Sequence, residues 1–118
     1  MEQENPVAEK SFKFAARIVR LCQYLETRKR EHTLSRQILR SGTAIGALIS
    51  EAQYAQSKAD FVSKMHIAVK EANETLYWLR LLHETDYLKT NEFQSLTSDN
   101  RELIKLLTSI ITSSKKLS

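Results

Sequence analysis

Apolar and small residues recur at alternating spacings of four and three along most of the chain, and this period constrains the fold more than any other feature. Such spacing draws one continuous stripe on an α-helix, whereas a half-buried strand needs strict alternation. Four segments carry it. The first runs Ser11, Ala15, Ile18, Cys22 and Leu25, with Phe12 and Val19 widening the stripe. The second is Leu34, Ile38, Ser41, Ile45, Leu48, Ala52 and Ala55; the third is Phe61, Met65, Ala68, Ala72, Thr75, Leu79 and Leu82. Phe93, Leu96, Asn100, Leu103, Leu107 and Ile110 form the fourth. Two glycines and one proline among 118 residues leave little material for the tight turns of a sheet protein.

Boundary signals agree with the period. Asn5 and Pro6 suit the N-cap and first position of a helix. Thr33 and Thr90 are candidate N-caps, and Glu92 suits the N-terminal dipole of the last helix. Ser57 followed three residues later by Asp60 is a capping-box-like start. Helices are predicted over about 6–28, 34–55, 58–86 and 91–115 of a single domain, 1–118. Short connections force neighbouring helices antiparallel, so the expected fold class is all-α, an antiparallel up-down four-helix bundle.

Chemistry-bearing patterns are few. The lone cysteine, Cys22, cannot form an internal disulfide, and its place on an apolar stripe marks it as a core residue. No Glu-x-x-His pair of the di-iron bundles occurs, and His32, His66 and His83 lie on separate segments without ligand spacing. Glu71 and Glu74 share a helical side and read as surface or ion-pair carboxylates. No Gly-rich phosphate loop or Ser/His/Asp arrangement is present. The expectation is a non-enzyme with no metal and no cofactor. The polar start, Met1 to Lys10, does not read as a signal peptide, and no apolar run approaches a membrane span. A cytoplasmic protein with no membrane partner is expected.

Charge is distributed unevenly. Glu2, Glu4 and Glu9 make the first residues acidic, and half of the eighteen Lys and Arg residues fall between positions 10 and 40. Lys10, Lys13, Arg17 and Arg20 recur at three and four, which puts them on one stripe without an acid inside it. Arg28, Lys29 and Arg30 follow in the connection, and Arg36 and Arg40 lie one turn apart on the next helix. These nine residues are the candidate nucleic-acid-binding set, because arrayed cations displace the counterions of a phosphate backbone.

A second set of candidates concerns self-association. Ile67, Tyr77 and Leu81 fall away from the third core stripe, with Trp78 flanking it, and Phe14 and Leu21 lie beside the first. Gly42 and Gly46, with small neighbours, make a smooth strip for a close backbone approach, either within the chain or at a subunit contact. Surplus apolar surface of this kind points to a homo-oligomer.

The block Leu34-Ser35-Arg36-Gln37-Ile38-Leu39-Arg40-Ser41-Gly42-Thr43-Ala44-Ile45-Gly46-Ala47 resembles the signature of a small bacterial family. Glu51-Ala52, Ser57-x-x-Asp60-Phe61 and Lys70-Glu71-Ala72-x-Glu74-Thr75-x-Tyr77-Trp78-Leu79 continue the likeness over essentially the whole chain. The family is that of the four helix bundle proteins, or 23S rRNA-intervening-sequence-encoded proteins. Its members are similar to the accessory variability determinant of diversity-generating retroelements, a basic, barrel-shaped homopentamer that associates with a reverse transcriptase and nucleic acid. The resemblance therefore implies a pentameric ring, an RNA- or DNA-facing surface and a protein partner of the reverse-transcriptase kind. It supplies no catalytic site. Arg40 and Glu51 match family positions and are expected in structural ion pairs with other helices or subunits. Where the family usually has Asn, this chain has Leu48, an apolar residue on the expected core stripe. The combined expectation is a non-catalytic homo-oligomer that contacts nucleic acid through helix 1 and the start of helix 2. The alternative is a protein–protein scaffold with no nucleic-acid role.

Overall fold

The computed structural model describes residues 5–116, so Glu2 and Glu4 of the acidic start lie outside the described residues. Four helices follow in order: α1 (Pro6–Arg28), α2 (Thr33–Ala52), α3 (Lys58–Glu84) and α4 (Thr90–Lys116). Each packs on its two neighbours around a square, and the diagonal pairs make no close backbone approach. The result is an up-down bundle of 48 × 25 × 23 Å. The α1–α4 seam is the thinnest of the four.

The helix starts are built as their residue types dictate, with two differences. Asn5 Oδ1 accepts from the Ala8 amide at 3.2 Å, with Pro6 at the first helical position. Ser57 Oγ accepts from the Asp60 amide at 3.0 Å, and Asp60 Oδ2 returns the favour to the Gln56 amide at 3.2 Å. Thr33, expected as the N-cap of α2, is instead its first residue. Both oxygens of Glu31 reach forward to the Leu34 and Ser35 amides at 3.1 and 2.8 Å and do the capping. Thr90 is likewise the first residue of α4, and its Oγ1 sits 3.0 Å from His83 Nε2. Helix α2 ends at Ala52, three residues before the expected end, and Tyr54 projects 86% exposed from the turn.

The stripes of α3 and α4 are buried as the spacing predicts, apart from Phe61 and Phe93, which are half-buried at the helix starts. Helix α4 adds Ile111 to the core in place of the half-buried Ile110. Helix α1 is rotated from the expected face. Phe14 and Leu21, candidate oligomer residues, are buried in the subunit's own core, while Phe12 is 76% exposed and Val19 lies outside. The cause is size. Spacings of three or four around Ile18 admit either flank, and burying Phe or Leu is worth about 1.5–3 kcal/mol each, more than Ala15 on the other flank can return. On α2, Ile49 takes the core place expected for the adjacent Leu48, which is half-buried against it.

Small residues set the α1–α2 distance. A Cβ on Gly42 would stand 2.9 Å from both γ carbons of Ile18, so the strip of small residues serves contact within the chain. Gly46 faces the Ser11 backbone, also on α1. Gly42 is therefore not free for the subunit contact considered for the pair, whereas Gly46 is half-buried and borders an open depression with Phe12 and Tyr54. Across α2–α3 the Ser41 and Thr75 hydroxyls meet at 2.9 Å, which satisfies two polar groups inside the core.

Cys22 is buried and free, and its thiol donates to the Ser35 carbonyl at 3.3 Å. Burial pushes its pKa up, opposed by the Ser35 side-chain hydroxyl and reinforced by the Glu26 carboxylate. Thiolate is the reactive form. Iodoacetamide at pH 8 is therefore expected to alkylate the native protein on the order of 100-fold more slowly than the urea-unfolded chain. Equal rates would place the thiol at the surface.

Candidate nucleic-acid interface

The up-down order brings the end of α1, the start of α2, the end of α3 and the start of α4 to one end of the bundle. Arg28 closes the last turn of α1, Lys29 is its C-cap, and Arg30 turns the chain in the left-handed region with φ 56°. The Glu31 amide then donates back to the Leu25 carbonyl at 3.0 Å. Arg36 projects from the first turn of α2. All four cations are exposed, and none forms an ion pair among the described residues.

On the α1–α2 side of this end the acids turn inward. Glu31 caps α2, and Glu26 accepts from Ser35 Oγ at 3.1 Å and lies 3.8 Å from His32 Nδ1. Positive groups therefore face solvent on that side, with carboxylates behind them fixing the start of α2, whereas Glu84, Asp86 and Glu92 on the α3–α4 side are exposed.

The stripe on α1 behaves differently. It has no acid within it, but the bundle supplies several. Lys10 pairs with Glu102 of α4 at 3.3 Å, Arg17 with Asp99 of α4 at 2.7 Å, and Lys13 with Glu9 at 3.3 Å. These are exposed or half-exposed pairs, each worth about 0–1 kcal/mol, yet each sets a carboxylate beside a cation and so opposes the approach of a phosphate. Arg20 alone of the stripe has no ion pair among the described residues. Arg40 leaves the candidate surface altogether. Its guanidinium spans to α3, meeting Glu71 Oε1 at 3.2 Å and Glu74 Oε2. Glu74 also accepts from Trp78 Nε1 at 2.9 Å. Arg40 thus finds its structural partners on another helix. Glu51 is exposed and forms no ion pair among the described residues. It lies near enough to Lys64 to help raise that residue's pKa, after the Asp60 hydrogen bond that dominates the shift.

Sequence reasoning missed a depression of about 430 Å³ between α1 and α4, next to the basic end. Its floor is apolar, from the buried Leu21, Leu88 and Leu96. Tyr24 comes from α1, Tyr87 from the α3–α4 connection, and Arg20, Lys89 and Glu92 reach the rim. A helix-ending turn fixes Tyr87: Asp86 adopts φ 68°, and the Tyr87 amide donates to the Leu82 carbonyl at 2.9 Å. Lys29 Nζ stands 6.0 Å from the Tyr24 ring centroid, which links the depression to the basic end. Tyr24 lies one turn past Arg20, a spacing that could have flagged it. Tyr87 could be placed only by the fold.

Of the remaining self-association candidates, Ile67 and Tyr77 are exposed, and Trp78 and Leu81 are half-buried. Tyr77 and Trp78 form an edge-to-face pair at 5.0 Å. No helix in the described residues is long and apolar enough to cross a membrane.

Comparison with known proteins places this architecture. The bundle superposes with a TM-score of 0.88 on the 1.70 Å crystal structure of a protein of unknown function from the S23 ribosomal protein family of Bacteroides thetaiotaomicron. The two are 53% identical over 89% of this chain and 97% of that one. A search of curated proteins finds no match. The family model for 23S rRNA-intervening sequence proteins matches residues 3–109, which include the Leu34–Ala47 block and all of α1 to α3. With its signature block and its four helices both accounted for, the chain belongs to the 23S rRNA-intervening sequence protein family.

Proposed function

We propose that this protein is a non-catalytic, homo-oligomeric nucleic-acid-binding bundle that contacts phosphates through its basic end. Arg28, Lys29, Arg30 and Arg36, with Arg20 beside them, form the contact surface. The supporting observation is their exposure and lack of ion-pair partners, set against the pairing of Lys10, Lys13 and Arg17. The names of the family and of the Bacteroides relative's family refer to ribosomal RNA and ribosomal protein, so RNA is the first probe. Self-association uses the exposed apolar side chains, with Ile67 and Tyr77 of α3 as the retained candidates. The pentamer implied by the accessory-protein likeness is the assembly to test. A ring would repeat each weak basic patch and raise avidity.

Phosphate contacts make affinity fall with salt, at about 0.7 logarithmic units per contact on single strands. Lys29→Glu, Arg30→Glu and Arg36→Glu together are expected to weaken RNA binding on the order of 100-fold at 50 mM salt and to flatten the salt slope by about 2–3. Fluorescence anisotropy across a salt series reads both, with light scattering on the same samples for oligomer mass. Unchanged affinity in a variant of unchanged mass would reject the surface. Absence of wild-type binding at low salt would favour the scaffold reading. That reading draws on the neutralised α1 stripe and on Phe12 and Tyr54, which are exposed aromatics outside the basic end.

A further inference from the structure

We infer that the α1–α4 depression receives an unstacked base, so that the protein prefers single-stranded nucleic acid to duplex. The inference rests on the nucleic-acid reading above and names the form of ligand the site takes. Two tyrosines from separate elements border the same space, over a floor formed by Leu21, Leu88 and Leu96. An apolar floor with aromatic walls suits the faces of a base and offers nothing to a phosphate. Tyr24 is 42% exposed although its helix neighbours Leu21 and Leu25 are buried, so its ring stays available at the surface.

The polar rim fits the rest of a nucleotide. Arg20 and Lys89 stand where a backbone phosphate flanking the bound nucleotide could be met, and both are exposed. Glu92 adds one acceptor, suited to an exocyclic amine or a sugar hydroxyl. Arg17 also reaches the site but is held by Asp99 at 2.7 Å, which leaves Arg20 and Lys89 as the cations without an ion pair there among the described residues. Lys29 lies beside Tyr24, so a strand leaving the depression passes directly onto the basic end. Duplex bases are stacked and paired and cannot enter, while their phosphates can still reach Lys29, Arg30 and Arg36. This arrangement of a stacking platform beside a cationic track is the physical basis of single-strand preference.

The test uses a fluorescein-labelled 15-nucleotide RNA of mixed sequence, alone and annealed to its complement, with full-length protein at one salt concentration. Tyr24→Leu and Tyr87→Leu keep apolar bulk and remove the stacking face. Each is expected to weaken single-strand binding about 5- to 100-fold while changing duplex binding less than twofold. Tyr24→Phe and Tyr87→Phe keep the ring and should bind as wild type, which separates stacking from misfolding. Adenosine monophosphate should displace the strand only at far higher concentration. Displacement at equal concentration would overturn the inference in favour of a free-nucleotide site. If both Leu variants bind the single strand as wild type does, while the basic-end reversal abolishes binding, the base pocket is wrong and the phosphate surface stands. If wild type binds neither form, the nucleic-acid reading fails and takes the pocket with it.

Discussion

Gly42→Ala destabilises the bundle by about 1–3 kcal/mol, whereas Gly46→Ala, one turn along the same helix, leaves it unchanged or stabilises it by up to about 1 kcal/mol. Helix propensity alone predicts a gain at both sites, so the difference comes from packing. At Gly42 the new methyl would meet both γ carbons of Ile18 at 2.9 Å, and the Ile18 β carbon at 3.3 Å. Ile18 is fully buried and β-branched, so its χ1 has one strongly preferred setting in a helix. Relief must come from moving α1 away from α2, which loosens every contact along the interface. At Gly46 the nearest atoms are the Ser11 carbonyl oxygen and hydroxyl at 3.4 Å, close to ordinary contact. Urea unfolding of the two variants checks the sign at each site. Combining Gly42→Ala with Ile18→Ala should cost less than the sum of the single changes, because alanine lacks both γ carbons that the new methyl would meet. Equal destabilisation by both glycine substitutions would contradict the assigned interface.

Asn100→Leu raises stability by about 1–3 kcal/mol. Asn100 is fully buried on α4, between Leu96 and Leu103 on the core stripe, and neither its amide nitrogen nor its oxygen has a hydrogen-bond partner among the described residues. Each such atom gives up its hydration without compensation. Leucine keeps the branched outline and the number of heavy atoms, with bulkier methyl ends, and removes the penalty without opening a cavity. Thermal unfolding should show a midpoint higher by roughly 4 °C for each kcal/mol gained, and the denaturant midpoint should rise at constant slope. A lower midpoint would mean that water or a second subunit satisfies the Asn100 amide in solution.

The helical period was strong evidence because it is local. Six of the seven stripe residues of α3 and the four central ones of α4, Leu96 to Leu107, are buried as read. Two faces of α1 competed because Ala15 and Cys22 on one side and Phe14 and Leu21 on the other both keep spacings of three and four through Ile18. Only the position of α4, which Leu21 faces across the seam with Leu96, decides between them. Leu48 and Ile49 posed the same problem on α2. The basic residues were legible one by one, but their neutralisation was not. Arg17 and Asp99 are 82 positions apart in sequence, and no pattern within α1 shows that α4 brings an acid to it. The tyrosine-bordered depression was hidden for the same reason. Glu31 illustrates a smaller gap, because a loop carboxylate that caps α2 resembles, in sequence, one more charge in a solvated connection.

Photocrosslinking of a 4-thiouridine-substituted RNA, followed by mass mapping of the modified peptides, tests most directly where nucleic acid sits. Crosslinks are expected on the segments that carry Tyr24, Lys29, Arg30 and Arg36 and on the connection that carries Tyr87 and Lys89. The stretch from Lys10 to Phe14 should remain unmodified, because Lys10 and Lys13 are paired and lie outside the depression. Crosslinks concentrated on Lys10 to Phe14, or on the Tyr77 face of α3, would contradict the assignment of the basic end as the contact surface.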